Sequence, residues 1–206
     1  MRAVRDVVGP TVALRLDVNG AWDLATARAR LTGLAPLALE YVEQPVPARD
    51  VAALASLRAE GRVAIAVDES VVSAPAARDL LRAGAVDVLV VKPDRVGGPR
   101  AALAIAQDAA AAGVGVTIST LLDTGVGLAA AVRVAASLSG GTHGLATADV
   151  LAHDLLAAPL TVRGGRMDVP AGPLAIDDAA LDRFAVESVG LEAPTAEGRR
   201  RTSARR

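Results

Sequence analysis

The 206-residue sequence predicts a parallel α/β fold, and three observations carry that expectation. Short β-rich runs alternate with alanine-rich amphipathic runs along most of the chain. The β-rich runs are nearly continuous in apolar residues, as strands buried on both faces are. Their polar C-terminal ends recur at the spacing of one βα unit: 26, 25, 24 and 27 residues separate Asp17, Glu43, Asp68, Lys92 and Ser119 in turn. Together these predict a partial TIM-type (β/α) barrel of about six parallel strands.

The elements follow in order. Arg2–Val8 reads as an opening helix. Val12–Leu16 is the first strand, and Asp17-Val18-Asn19-Gly20 closes it. Helix Leu24–Leu34 leads to strand Leu39–Val42, which ends in Glu43-Gln44-Pro45. Helix Arg49–Glu60 leads to strand Val63–Val67 and then Asp68-Glu69-Ser70. Helix Ala74–Ala83 leads to strand Val86–Val91 and then Lys92-Pro93, with Gly97-Gly98 as a tight turn into helix Pro99–Ala112. Strand Gly115–Ile118 ends in Ser119-Thr120 and precedes helix Val126–Leu138. Thr142–Ala146 is a weak sixth strand. Pro159 to Pro173 reads as a short hairpin or loop, and Asp177–Phe184 as a last short helix. The barrel region is therefore expected to span 1–175, a short C-terminal helix and extension 176–193, and a basic, solvated, disordered tail 194–206.

Composition excludes several classes. A net charge of -1 and a pI near 6.1 argue against a nucleic-acid binder. The absence of cysteine excludes a disulfide scaffold and a thiolate metal site, and is the composition expected of a cytoplasmic chain. The most apolar stretch, around Ala101 to Val116, is broken by Gln107, Asp108 and Gly113, so no membrane span is expected. The first residues, Met1-Arg2-Ala3-Val4-Arg5-Asp6, lack an apolar signal core. Of the 22 basic side chains all are arginine except Lys92.

Side chains at matching places on successive parallel strands converge on one mouth, where barrels of this kind build their active sites. Three carboxylates there, Asp17, Glu43 and Asp68, repel one another unless a cation lies between them. Mg²⁺ suits such a set, with water and substrate oxygens completing its octahedron (Mn²⁺ is the alternative). A lysine across the mouth can move a proton or steady developing charge, while the ion holds a substrate carboxylate as it becomes an enediolate. Taken alone, Asp17 also reads as a turn residue with Asn19 and Gly20. Glu43 is a poor cap at the end of an apolar strand, and Lys92 follows an otherwise buried one.

The series Asp17-Val-Asn-Gly-Ala-Trp22, Glu43-Gln-Pro, Asp68-Glu-Ser70 and Lys92-Pro…Gly97-Gly98 resembles the barrel domain of the enolase superfamily, muconate-lactonizing subgroup. Ser119-Thr-Leu-Leu-Asp-Thr-Gly-Val-Gly-Leu128 and His143-Gly-Leu-Ala-Thr147 resemble most its o-succinylbenzoate synthase family. The resemblance, over roughly residues 2 to 175, implies Asp17, Glu43 and Asp68 as Mg²⁺ ligands and Lys92 as the acid/base or the enediolate-steadying cation. It implies that Ser119, Thr120 and backbone N–H groups near Gly125 hold the oxygens of a small-molecule carboxylate substrate. Asn19 and Glu69 are expected to orient the ligands. The implied reaction is loss of water from a succinyl-bearing cyclohexadiene carboxylate, in menaquinone biosynthesis. Racemase, epimerase and cycloisomerase activities on the same scaffold are alternatives, and the segment Lys92-Pro-Asp-Arg-Val-Gly-Gly leans toward them.

The departures are equally definite. The family's capping domain and first two barrel strands have no counterpart, nor does its second-strand Lys-x-Lys. The expectation is therefore a truncated product, inactive by itself and poorly stable, with a non-catalytic metal-binding fragment as the alternative of another class. Gly125-Val-Gly127-Leu-Ala-Ala130 matches the dinucleotide pattern G-x-G-x-x-A only loosely, since four residues separate it from the strand-end pair Ser119-Thr120. His143 and His153 are expected in surface or capping roles, and Trp22 packs the first αβ layer.

Overall fold

In the computed structural model, residues 1–147 and 150–185 are described. The order is α1 (Arg2–Val8), β1 (Arg15–Asp17), α2 (Leu24–Leu34), a 3₁₀ turn (Ala35–Leu37), β2 (Tyr41–Glu43), α3 (Val51–Ala59), β3 (Ile65–Val67), α4 (Ala74–Arg82), β4 (Val88–Val91), α5 (Pro93–Val96), α6 (Pro99–Ala111), β5 (Gly115–Ile118), α7 (Gly125–Ala136) and α8 (Asp178–Phe184). All five strands are parallel and pair in chain order, β1-β2-β3-β4-β5. The architecture is the α/β barrel type that the sequence predicts. The tail 194–206 lies outside the described residues.

Side-chain parity separates the two faces of the sheet. One face carries Val42, Ile65, Val67, Leu89, Val91 and Ile118, which join the helices' Leu31, Leu54, Leu57, Leu80 and Ile105 in the main core. The opposite face carries Tyr41, Ala66 and Val90, a second and smaller apolar layer. Two apolar faces explain the lack of in/out alternation in the strand sequences. The second face also carries Asp17, Glu43, Asp68, Lys92 and Ser119, each two residues beyond a member of that layer or of its continuation.

Register places those five at one end. Asp17 lies opposite Glu43. Glu43 lies opposite Ala66, so Asp68 stands two residues further along. Ala66 lies opposite Val88, and Val91 opposite Ile118, which brings Lys92 level with Ser119. The two-residue offset repeats from β2 to β3 and from β3 to β4, the stagger that tilted barrel strands require.

Strands β1 to β4 start two or three residues later than the apolar runs do, whereas β5 starts where expected. The β1–β2 ladder begins at Arg15, and the Val12 carbonyl instead accepts from Arg5. The weak sixth strand is reduced to one parallel bridge, Ser119 with Gly144. Gly140 and Gly141, both at positive φ, lead into it, and only Gly144 pairs, through Ile118 O and Thr120 N. The expected hairpin is a turn at Gly164-Gly165 between paired Arg163 and Arg166.

Helix starts follow sequence chemistry. Asp23, Asp50, Ser73 and Asp177 each accept an N–H from the first turn of their helix. Helix α1 has no such side-chain cap, and none of its residues is buried. Arg5 holds it, donating to the carbonyls of Leu37, Gly9, Val12 and Ala38. Arg5→Ala is expected to cost about 1–2 kcal/mol. Hydrogen exchange should show α1 amides exposed while β2–β4 amides keep their protection.

Candidate active site

Each strand end is set by its own loop. Asp17 Oδ1 accepts the Asn19 N–H at 2.9 Å, and Asn19 takes a positive φ of 50°. The turn reading of Asp17 is thus realised, and Asn19 orients the carboxylate through its backbone. Glu43 is half-buried between its neighbours. Burial first, then Asp17 and Asp68, push its carboxyl up to about 7, against an opposing pull from Lys92. Strand register and the Lys92–Asp68 contact bring Asp17, Glu43, Asp68 and Lys92 to one mouth.

Asp68 is nearly enclosed, and both its oxygens are engaged. Lys92 Nζ lies 2.5 Å from Oδ2, and Arg95 Nη1 lies 3.0 Å from Oδ1. The side chains of Asp68 and Lys92 are 6% and 12% exposed, so this pair is shielded from water. Arg95 reaches it because Lys92 directly follows β4 and the short α5 turns the chain back over the mouth, with Gly97 at φ 101° closing that helix. Among the described residues, no three His, Cys, Asp or Glu side chains stand close enough to share an ion. Asp68 is turned to its two cations instead. The donor set nonetheless suits a hard divalent ion: oxygens only, a Glu43 carboxyl that gains by charge neutralisation, and a buried Glu69 Oε2 without a hydrogen-bond partner.

The remaining residues of the expected site divide. Ser119 sits level with Lys92 and pairs with Gly144 through its backbone. Thr120 is buried, and its hydroxyl is committed to Gly144 O at 3.3 Å and Thr147 Oγ1 at 2.7 Å. The Gly125 N–H, at the start of α7, is taken by Asp154 Oδ1 at 2.6 Å. A Cβ at Gly125 would come within 2.6 Å of Leu156 Cδ1, so glycine is required there for packing. Gly125→Ala is accordingly expected to cost about 1–3 kcal/mol, seen as a lower urea midpoint.

Three groups were not singled out from sequence. Arg95 is one. Asp123 is another: burial and Asp94 push its carboxyl up, while the Leu121 backbone and Lys92 oppose them. Buried Gln44 is the third. His143 is half-buried and takes a capping role. Its Nδ1 accepts the Ile118 N–H at 3.1 Å, and burial and then Arg15 lower its affinity for a proton. His153 is exposed and stacks on Phe184. Trp22 packs against the main core as expected.

The family model for the enolase C-terminal domain-like fold matches residues 1–173. An o-succinylbenzoate synthase of Thermobifida fusca (strain YX) is 42% identical over 190 residues, covering 87% of this chain and 58% of that protein. An N-succinylamino acid racemase of Amycolatopsis sp is 37% identical over 177 residues, covering 84% of this chain and 47% of that protein. The muconate lactonizing enzyme from Pseudomonas putida superposes with a TM-score of 0.83 at 28% identity, covering 88% of this chain and 52% of that one. The chain spans about half the length of the curated relatives it matches. Five parallel strands, three carboxylates and one lysine at their C-terminal ends, and a family match over most of the length agree: the chain belongs to the enolase C-terminal domain-like family.

Proposed function

We propose that this chain carries the metal-binding carboxylates and one acid/base lysine of an o-succinylbenzoate synthase-like lyase. The reaction would remove water from a succinyl-bearing cyclohexadiene carboxylate in menaquinone biosynthesis, in the cytoplasm. The single observation that supports it best is the ion pair of Lys92 with Asp68, next to a Glu43 pushed up to about 7. In this reading Asp17, Glu43 and Asp68 hold Mg²⁺, and Mn²⁺ can replace it. The bound ion supplies positive charge where a substrate carboxylate becomes an enediolate. Lys92 moves a proton or steadies that charge from its place on the second face of the sheet. Ser119 contributes a hydroxyl to substrate oxygens, whereas Thr120, with its hydroxyl committed, shapes the backbone beside it. Glu69 keeps one oxygen available beside the ligands.

One lysine supplies only half of a two-base exchange, so the 206-residue polypeptide is expected to bind without turning over. Calorimetry tests the reading directly. The chain should bind o-succinylbenzoate in Mg²⁺ and lose that affinity in a chelator. Absence of Mg²⁺-dependent binding would sink the lyase reading, and turnover by the purified chain would sink the inactivity. Tighter binding of an N-succinyl amino acid would instead favour a racemase, the reading toward which the Lys92-to-Gly98 segment leans. Cation binding with neither ligand would support a non-catalytic metal-binding fragment.

A further inference from the structure

Gln44 is fully buried, directly follows Glu43, and holds a φ of 39°. A glutamine in the left-handed region is strained, and such strain persists only where the surroundings impose it. Here the surroundings are three successive strand-end loops. The Gln44 carbonyl accepts the Gly20 N–H at 2.7 Å, which ties in the loop that carries Asp17. Its own N–H donates to Ala66 O at 2.8 Å, on β3. Its side-chain Oε1 accepts from the Asp68 N–H at 3.2 Å and the Ser70 N–H at 3.2 Å, and the Ser70 hydroxyl lies 3.1 Å from both Oε1 and Ala48 O, sharing its one proton between them. Its Nε2 donates to Val46 O at 2.9 Å. The two N–H donors at Oε1 fix which way the amide faces, because the reverse would set NH₂ against them.

We propose that Gln44 is a positioning residue for the carboxylate mouth, fixing the main chain of Asp68 and Ser70 so that the Asp68 carboxylate meets Lys92. Both polar atoms of this buried amide are hydrogen-bonded, and the main chain and side chain of Gln44 together reach the loops behind all three carboxylates. A short or apolar side chain would leave the Asp68 and Ser70 N–H groups without their acceptor and free the Asp68 loop to move. The role of the three carboxylates as a metal site comes from the proposed function, but the tie between Gln44 and the Asp68–Lys92 pair does not need it.

The sequence supplies the probe. Lys92 is the one lysine in the chain, so ¹⁵N-lysine labelling gives a single ammonium resonance that needs no assignment. In the wild type, the paired and shielded ammonium should give a visible, slowly exchanging Nζ–H signal at neutral pH without metal. Gln44→Ala should lose that signal and bind Mn²⁺ at least tenfold more weakly, with far-UV circular dichroism unchanged. Gln44→Glu should restore the signal, since its carboxyl oxygen keeps an acceptor for the Asp68 and Ser70 N–H groups. Ser70→Ala removes only one donor and serves where Gln44→Ala does not fold, with partial loss of the signal as its expected result. An unchanged Lys92 signal in a folded Gln44→Ala, or in Ser70→Ala where Gln44→Ala does not fold, would overturn the proposal, as would a Gln44→Glu that rescues nothing. A wild type that shows the signal but no Mn²⁺ affinity would count against the metal reading and leave the positioning role supported.

Discussion

Glu43→Gln is expected to stabilise the chain at pH 8 while removing its affinity for a divalent cation. The fold raises the Glu43 carboxyl from 4.5 to about 7, first by burial and then by Asp17 and Asp68. A raised folded value means that the neutral acid is the form the fold favours. That contribution is fully present below about 4.5 and is lost as pH rises through about 7. At about 1.4 kcal/mol per unit the shift corresponds to roughly 3 kcal/mol, and partial access to water reduces the expected gain from Gln to about 2 kcal/mol. Urea midpoints should show the wild type weakening between pH 5 and pH 8 more than the variant does. Mn²⁺ should restore wild-type stability at pH 8 and do so less at pH 5.5, because below about 7 the ion competes with a proton on Glu43. A variant that keeps the wild-type pH dependence, or that keeps the ion's stabilisation, would remove Glu43 from the site. Asp123, whose carboxyl is also pushed up, adds the same sign in both proteins and cancels in their difference.

Lys92→Met carries the second large effect, with the opposite sign. Removing one partner of a shielded ion pair typically costs about 3–5 kcal/mol. Arg95 continues to hold the other oxygen of Asp68, so about 2–3 kcal/mol is expected. The double variant Asp68→Asn with Lys92→Met should recover part of that loss, and the resulting cycle measures the pair itself. Additive losses would show that the 2.5 Å contact contributes nothing in solution. Lys92→Arg separates charge from proton exchange. It keeps a cation facing Asp68, and its stability should lie within about 1 kcal/mol of wild type, while any turnover assembled around this mouth should fall by about 10²–10⁴.

These two residues were legible in the sequence for the same reason that they matter. A carboxyl at the end of an apolar strand and a lone lysine after Val-Leu-Val-Val are costly to place without a use. The strand starts were less legible. Val63 and Val86 are as buried as strand residues yet lie in loops, so an apolar pattern cannot mark where the ladder begins. The sixth strand failed for a local reason, glycines where a ladder needs side chains to pack. Partners close in space but distant in sequence were invisible. Asp154, 29 residues past Gly125, takes the N–H that the resemblance assigns to substrate oxygens. Arg95 meets Asp68 only because α5 folds the chain back, and the role of Gln44 depends on a backbone angle that composition does not reveal.

The strictly sequential pairing of β1 through β5 bears on how the chain is made. Each strand docks beside the one synthesised just before it, so no strand edge waits for a partner encoded far downstream. Growth on the ribosome can add one βα layer at a time, a topology that favours early structure over a late global search. Arg15 is the exception. Its guanidinium donates to Thr142 O, across 127 residues. That bond can form only after β5 and α7 have emerged, which makes it the natural last fastening of the assembled sheet.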